Sequence, residues 1–399
     1  IFVHYSDSSN DKTFNNFQKL IRTWYQVLVD ENLNFCISQT DEDICDLVCQ
    51  GMSKGKDLDQ ARIIERVLVD LVGFQLRLTN GQLFWHAPKA DNRAFLNPKE
   101  NKLPKIEAIL LLASIWEVIK SRNDLWTTSW FALSMIAPNR VTELLTLPID
   151  CLVDDKNEVG LRIRPLKGGD ATTKYALNQD MQYVLKQTVS RLLQYSLQIR
   201  EIARFYSIPG NIQNRKIYLP SSYKSKENQP ITKNDIKGII GIDNLPRSIE
   251  IVLKAVEVDE EGNLLYDWNC VVDIIYQLLP VELVSGQFYC NLTKLKFEDA
   301  LFLAPRGWNS ANIFCNIPSK VSYSQIQNDI SGCSARDSIF ERNKLIDTET
   351  GGYHTLSTHG CRHFLVTLGY FKRLQDNVIM MWRGSLNQLQ NESYNHMFP

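Results

Sequence analysis

The segment PNRVTELLTLPID, residues 138–150, decides how the rest of the chain is interpreted. Pro138 breaks the apolar helix that is predicted before it, because proline lacks a backbone N–H and disfavours a helical residue in front of it. A new short helix is predicted to begin at Arg140 and to end before Pro148. Arg140 therefore stands at the start of a helix, and Glu143 follows one turn later.

Two short strands are predicted just downstream, at 159–166 and 174–177, because their apolar residues alternate. The segment KGGD at 167–170 is predicted as the turn of this hairpin, since glycine adopts the positive φ that such turns need. Lys167 is the first residue of that turn.

The remaining downstream elements follow from apolar periodicity and from proline and glycine positions. They are a helix at about 179–206, strands within 216–224 and 300–308, helices at 232–240 and 323–331, a helix running toward Leu374 whose start Ser357 and Thr358 can cap, and helices at 376–382 and around Tyr394. The block at about 241–299 has acidic turns and no basic stripe, and is predicted to be an insertion with a structural or assembly role.

Upstream, residues 1–97 are predicted to be mostly helical, because apolar side chains recur at helical spacing over 14–24 and over 63–71. A segment rich in proline, asparagine and alanine at 84–98 indicates a linker. A long helix is predicted from about 104 to 120.

The composition is that of an ordinary globular protein: 399 residues, 44% hydrophobic, 22% charged, with a formal net charge of -1. This length indicates two or three domains. Nine cysteines are scattered without CxxC spacing, which favours free thiols in a reducing cytoplasm over a metal site. The longest apolar run, 106–119, contains two glutamates and is too short to cross a membrane, so a soluble intracellular protein is expected.

Histidine is rare, yet four of the six histidines fall in the last 46 residues. His359 and His363 have the i, i+4 spacing of a two-histidine zinc site, but Gly360 stands where a zinc protease has glutamate, and no third ligand is evident. No metal site is therefore predicted. His354 is predicted to be a core or capping histidine.

Phosphate chemistry accounts better for this region. Cleavage of a phosphodiester needs a nucleophile, cations on the non-bridging oxygens and a proton donor for the leaving oxygen. His359 and Arg362 lie three residues apart on one predicted helix face, and Tyr394 follows 32 residues after Arg362. Arginine suits the cation role, because its planar fork meets two oxygens and keeps its charge.

Together these segments resemble the tyrosine recombinase (phage integrase) family. PNRVTELLTLPID at 138–150 is similar to the family's first arginine box, THGCRHFLVTLG at 358–369 to its His-x-x-Arg-His box, and ESYNHM at 392–397 to its nucleophile box. Lys167 matches the lysine of the family's catalytic hairpin. The resemblance covers about 105–178 and 300–397, and the long insert resembles the larger integrases of mobile elements.

The resemblance implies a role for each matched residue. Arg140 and Arg362 would clamp the scissile phosphate, and His359 would hydrogen-bond it and assist proton transfer. Lys167 would protonate the leaving 5′ oxygen, and Tyr394 would form a 3′-phosphotyrosyl bond. Supporting roles are implied for Glu143, His363, Trp382 and Ser385. Neither a metal ion, ATP nor any other cofactor is implied, because the covalent bond conserves the phosphodiester energy.

One position departs from the family pattern. The family usually carries His or Trp nine residues before the nucleophile, but here Ser385 follows Gly384. Trp382 and Arg383 lie close by in sequence and could fill that role. Basic residues expected to face DNA are Arg164, Lys174, Lys224 and Lys226.

The resulting expectation is a mainly α fold with a small β-sheet or hairpin. Residues 1–97 would form a helical core-binding domain that clamps DNA, and 98–399 a tyrosine recombinase catalytic domain with its insertion at about 241–299. The expected partners are double-stranded attachment sites, three further copies in a synaptic tetramer and an accessory directionality factor, with no membrane. The expected location is the bacterial cytoplasm, at the nucleoid during reaction.

Two other functions fit the same residues. A type IB topoisomerase or hairpin-resolving enzyme shares the phosphotyrosyl chemistry without strand exchange. A DNA-binding regulator of the same fold could have lost activity through the Ser385 departure.

Overall fold

The fold is mainly helical with small antiparallel sheets. The computed structural model describes residues 11–31, 42–53, 103–119, 121–155, 158–165, 170–333 and 336–384. The chain divides into two compact units, Ile1–Pro98 and Lys99–Pro399. None of the helices in these described ranges combines the length and apolar content needed to cross a membrane.

The first unit contains two described helices that pack on each other, α1 (Asp11–Asp30) and α2 (Glu42–Ser53). Their shared core consists of buried side chains at helical spacing: Leu20, Trp24, Leu28, Ile44, Cys45 and Val48. The helix predicted over 14–24 is confirmed. The predicted helix over 63–71 and the predicted linker at 84–98 lie outside the described residues.

The second unit contains the other described elements. Its helices are α3 (Ile106–Glu117), α4 (Arg122–Ser134), α5 (Val141–Leu145), α6 (Gln179–Tyr195), α7 (Leu197–Tyr206), α8 (Pro209–Gln213), α9 (Lys233–Ile240), α10 (Arg247–Glu250), α11 (Trp268–Leu278), α12 (Val281–Val284), α13 (Tyr323–Ser331), α14 (Ile339–Arg342), α15 (Thr358–Phe371) and α16 (Asp376–Arg383). Its strands are β1 (Leu152–Asp155), β2 (Glu158–Ile163), β3 (Thr172–Tyr175), β4 (Ile231–Thr232), β5 (Ala255–Val258), β6 (Leu264–Tyr266), β7 (Leu303–Arg306) and β8 (Phe314–Lys320).

A first hydrophobic core is built around α4. Nearly every side chain of this helix is buried, as expected for a helix surrounded by other elements. Trp126 of α4 packs edge-on against Trp308, with ring centroids 6.5 Å apart. The core continues into the sheet β1–β2–β3 and into the buried faces of α6, α13 and α15. The elements that carry the candidate site residues pack on this first core.

The predicted hairpin is present as two strands of a three-stranded antiparallel sheet. The strand β1 was missed, because only two of its four residues are apolar and none is fully buried. β2 pairs with β3 so that Leu161 lies opposite Lys174. Gly160 allows close packing here, since a Cβ at this position would lie 2.7 Å from Cγ2 of Thr173.

Two other sequence predictions were wrong in detail. The helix predicted at 179–206 is divided at Ser196 into α6 and α7, and the guanidinium of Arg200 donates a hydrogen bond to that serine hydroxyl. The strand predicted within 216–224 is absent: a 3-10 turn occupies Ser221–Lys226. The backbone N–H of Tyr218 donates to the hydroxyl of Tyr206 instead of to a partner strand.

The predicted helix around Tyr394 and residues 167–169 of the predicted turn lie outside the described residues. The other helices and the second strand predicted downstream are confirmed. The segment 300–308 contains β7, and the helices predicted at 232–240, 323–331, 357–374 and 376–382 correspond to α9, α13, α15 and α16.

A second hydrophobic core extends from Ile199 to Ile317 and includes the block 241–299 that was predicted as an insertion. Its sheet has the order β4–β6–β5. Backbone hydrogen bonds join this part to the end of α5: Leu301 N–H donates to the Leu147 carbonyl at 2.8 Å, and Ile149 N–H to the Asp299 carbonyl at 2.9 Å. The second core is therefore attached directly to the segment that carries the first arginine box.

Candidate functional site

The helix α15 carries the second arginine of the candidate site, and its start is fixed by two side chains. The Ser357 hydroxyl caps the helix by accepting a hydrogen bond from Gly360 N–H at 2.9 Å. Gln327 of α13 accepts bonds from the Thr358 N–H and hydroxyl at 3.0 and 2.7 Å. The sequence predicted the cap, and the tertiary structure adds the tether to α13.

Arg362 lies in the interior, with only 5% of its surface exposed. Its Nη1 donates a hydrogen bond to the carbonyl of Pro138 at 2.5 Å, across 224 residues of sequence. Its Nη2 donates to the carbonyl of Arg383 at 3.4 Å. The guanidinium therefore lies between the first arginine box and the end of α16.

Arg140 stands at the N-cap position of α5, as the sequence predicts. Its backbone N–H and its Nη1 donate to the two carboxylate oxygens of Glu143, at 2.9 and 2.7 Å. Glu143 is 4% exposed, whereas the Arg140 side chain is 25% exposed. The buried Glu143 carboxylate thus fixes the position of Arg140, while part of the Arg140 side chain stays exposed to solvent.

Lys174 of β3 also belongs to this cluster. Its Nζ donates a hydrogen bond to the Met381 carbonyl, in the last turn of α16, at 2.7 Å. Burial lowers the pKa of Lys174; the negative charge of Glu143 acts to raise it, and the positive charge of Arg362 lowers it further. Glu143 and Arg362 therefore both influence the charge of this lysine.

The helix α16 is held at its last turn by these two cations. The carbonyls of Met381 and Arg383 face Lys174 and Arg362 respectively, which places positive charge at the negative end of the helix dipole. Gly384 ends the helix in the left-handed conformation, with φ at 66°. The cluster thus sits at the point where the chain leaves α16 toward Tyr394.

The histidines of the second box lie on the same helix. His359 is exposed and His363 is buried, and their rings meet edge to face with centroids 4.4 Å apart. His359 stands one turn before Arg362 and can reach a ligand from solvent. His354 is buried and its ring lies 6.1 Å from that of Phe340, which agrees with the predicted core histidine.

Trp382 and Arg383 are oriented differently from what the sequence suggested. A Cβ built on Gly369 would lie 3.5 Å from the Trp382 ring, so Trp382 packs near the C-terminal half of α15, two turns from Arg362. Arg383 is 1% exposed and contributes its carbonyl to Arg362. The sequence named Arg383 only as a neighbour of Gly384 that, like Trp382, could replace the missing His or Trp.

A buried ion network supports the helices beneath the site. Arg342 of α14 donates to Asp124 of α4 at 2.8 Å and to Asp329 of α13 at 2.6 Å. Thr127 adds a hydrogen bond to Asp329 at 2.6 Å. Both carboxylates are 3% exposed. Because Asp329 lies two residues from Gln327, the network also fixes the helix that tethers α15.

The residues predicted to face DNA are distributed over both cores. Arg164 and Lys224 are exposed. Lys226 forms an ion pair with Asp235 at 2.6 Å. Burial acts to raise the pKa of Asp235, but hydrogen bonds from Lys226 and Thr232 outweigh it and the pKa is lowered. Lys226 therefore already has a partner within the protein.

Three predicted site residues, Lys167, Ser385 and Tyr394, lie outside the described residues. Their roles stay predictions. Among the described residues, no group of three or more His, Cys, Asp or Glu side chains could hold a metal ion.

The described cluster is suited to binding an anion. Arg140, Lys174 and Arg362 are all cationic, and Glu143 is the acidic side chain that contacts one of them. Arginine side chains held in fixed positions are preorganised for phosphate oxygens, and a partly buried setting strengthens that attraction. Lys174 was predicted only as a DNA contact, so its hydrogen bond to the end of α16, to which Arg362 also donates, is a finding of the structure.

Comparison with protein-family models finds no matching family, and comparison with curated protein sequences finds no match.

Proposed function

We propose that this protein is a site-specific DNA recombinase, an integrase that cleaves and rejoins DNA through a 3′-phosphotyrosyl bond to Tyr394. One observation carries the proposal: Arg362 donates a hydrogen bond to Pro138, two residues from Arg140, although the two segments are 224 residues apart in sequence. The two arginine segments that resemble a known catalytic pattern in sequence therefore also lie close together in the fold.

Phosphate binding would use both arginines. Arg362 now donates to two backbone carbonyls, and Arg140 to Glu143. A phosphate carries charge and several lone pairs, so it is a stronger acceptor than a neutral carbonyl. The negative charge that develops on the non-bridging oxygens during attack would be stabilised by the fixed guanidinium groups. His359, exposed on the same helix, would add a hydrogen bond.

The bonds and protons of the cleavage step are accounted for without a metal ion or ATP. The Tyr394 hydroxyl gives up its proton, with His359 assisting the transfer, and its oxygen forms a bond to phosphorus. The bond from phosphorus to the 5′ oxygen breaks, and the 5′ oxygen takes up a proton. Rejoining reverses these steps when a 5′ hydroxyl attacks the phosphotyrosyl bond. Lys167 is the proposed proton donor by resemblance. Lys174 is a second candidate, since a lowered pKa brings a lysine closer to the pH at which it can donate efficiently.

The decisive experiment is covalent capture. The full chain is incubated with a library of nicked duplexes of random sequence, and the DNA that becomes attached to protein is sequenced to recover the target. Adducts are expected with the natural protein and with the Tyr353→Phe variant, which changes an exposed tyrosine outside the cluster. No adduct is expected with Tyr394→Phe. An adduct that survives Tyr394→Phe contradicts the choice of nucleophile, and its absence from the natural protein contradicts the enzyme.

The proton donor can be identified separately. In a substrate with sulfur in place of the leaving 5′ oxygen, departure no longer depends on protonation, because a thiolate is a good leaving group. A Lys167→Met variant that is slow on oxygen and fast on sulfur supports Lys167 as the donor. The same pattern for Lys174→Met instead would assign the role to Lys174.

The products distinguish the related functions. Recombinant DNA supports the integrase, acting as a tetramer on two attachment sites, with an accessory factor that sets direction, in the bacterial cytoplasm at the nucleoid. Relaxed circles or hairpin ends alone support a topoisomerase or a hairpin-resolving enzyme. Tight DNA binding without covalent capture supports a regulator, for which the replacement of His or Trp by Ser385 is the sequence feature in favour.

A further inference from the structure

An open cleft of about 550 Å³ lies where the two hydrophobic cores meet. It is lined by Arg162 and Arg164 from β2 and its exit, by Lys294 and Lys296 from the second core, and by residues 146–150. We call it the basic cleft. The four cationic side chains come from two segments about 130 residues apart, so the sequence shows no basic stripe at this place.

All four cations are accessible. Arg162 and Arg164 lie two residues apart at an exposed face of the strand, and Lys294 and Lys296 alternate with the buried Leu295. None of the four forms an ion pair with a residue in the described part of the chain. Their charge is therefore available to a ligand.

Two carboxylates, Asp150 and Asp299, also line the basic cleft and leave it with two net positive charges. Asp299 is half-buried, and its backbone carbonyl accepts the hydrogen bond from Ile149. The cleft as a whole thus favours an anion.

The lysines are held in place by the backbone. Cys290 and Leu295 exchange hydrogen bonds at 3.3 and 3.1 Å, which closes a tight turn around Lys294. Lys294 has a positive φ of 52° within that turn. Together with the pairing of 299–301 to 147–149, this fixes the lysines relative to the first arginine box.

The basic cleft begins at the end of α5 opposite to Arg140. That helix has five residues, which corresponds to about 7.5 Å. Phosphates follow one another about every 3.4 Å of rise along one DNA strand. The basic cleft is therefore within reach of a DNA backbone a few nucleotides from a phosphate bound at Arg140.

We propose that the basic cleft binds the phosphate backbone of DNA near the cleaved position, and that the second core contributes Lys294 and Lys296 to this contact. This inference rests on the proposed function. It assigns the insertion a part in DNA binding, where the sequence alone favoured a structural or assembly role. An acidic peptide is the other class of ligand that such a cleft could hold, and proximity to Arg140 favours DNA.

The test compares two double variants of the full chain. Lys294→Asn with Lys296→Gln removes the two lysines, and asparagine tolerates the positive φ at position 294. Lys216→Gln with Lys254→Gln is the matched control, since both lysines are exposed on the second core and neither lines the cleft. Thermal melting verifies that both variants remain folded.

Binding to a 30-base-pair duplex of mixed sequence is measured by fluorescence anisotropy over a range of salt concentrations. The logarithm of the affinity falls with the logarithm of the salt concentration, and each phosphate contact makes this slope steeper by about 0.9. Losing two contacts therefore makes the slope shallower by about 1.8. At 0.1 M salt this corresponds to roughly 60-fold weaker binding. The control should retain the slope of the natural protein.

The outcomes separate this inference from the proposed function. An equal slope for both double variants overturns the proposal that the basic cleft binds DNA, but it does not contradict the proposed recombinase function. Unchanged DNA binding combined with lost binding of poly-glutamate also overturns it, in favour of an acidic partner. Absence of DNA binding by the natural protein contradicts the proposed function as well, and this is visible before any variant is compared.

Discussion

Replacing Arg342 by methionine tests whether the buried ion network supports the site. Arg342 makes four hydrogen bonds of 2.6 to 3.1 Å to Asp124 and Asp329, and both carboxylates are 3% exposed. Removing the cation leaves two buried negative charges without their main partner. The expected loss in the free energy of unfolding is about 3–5 kcal/mol. This corresponds to a melting temperature lower by roughly 10 °C.

The assay is urea denaturation followed by tryptophan fluorescence, because Trp126 and Trp308 pack together in the same core. The triple variant Arg342→Met, Asp124→Asn, Asp329→Asn removes both charges with the cation, and should recover at least half of the lost stability. The control Lys186→Met removes an exposed ion pair with Asp154 and should cost less than about 1 kcal/mol. A triple variant no more stable than Arg342→Met, or an Arg342→Met as stable as Lys186→Met, refutes the reasoning.

Three other expectations concern single positions. The pKa of Lys174, followed by NMR, should lie below that of an ordinary lysine. Arg362→Gln should raise this pKa because it removes a positive charge, and Glu143→Gln should lower the pKa further because it removes a negative charge. Gly160→Val should destabilise the hairpin by about 1–3 kcal/mol in thermal melting, because the added Cβ contacts the neighbouring strand. Burial raises the pKa of the Cys361 thiol to about 12, so at pH 8 this cysteine should react with iodoacetamide only after the protein unfolds; prompt reaction in the native state contradicts that burial.

Sequence patterns predicted those elements whose ends depend on neighbouring residues. The short helix after Pro138 and its start at Arg140 involve residues within one turn. The cap of α15 by Ser357 is equally local. The strand β1 escaped prediction because it depends on pairing with β2, and its own residues carry little apolar signal.

The division of 179–206 into two helices depends on side-chain hydrogen bonds that apolar periodicity does not show. The side chain of Arg200 bonds to Ser196 and to the Leu193 carbonyl, which holds the chain where the two helices meet. An uninterrupted pattern of apolar residues on either side does not reveal such a junction.

What the sequence determined by itself is the identity and order of the chemical groups: two arginine boxes, a hairpin and a C-terminal tyrosine. What only the tertiary structure decided is which groups meet. Arg362 contacts Pro138 across 224 residues, Lys174 and Arg362 both donate to carbonyls at the end of α16, and Lys294 joins Arg162 in one cleft. The physical reason is range: caps and turns act over a few residues, whereas these juxtapositions depend on how two hydrophobic cores pack and pair their backbones.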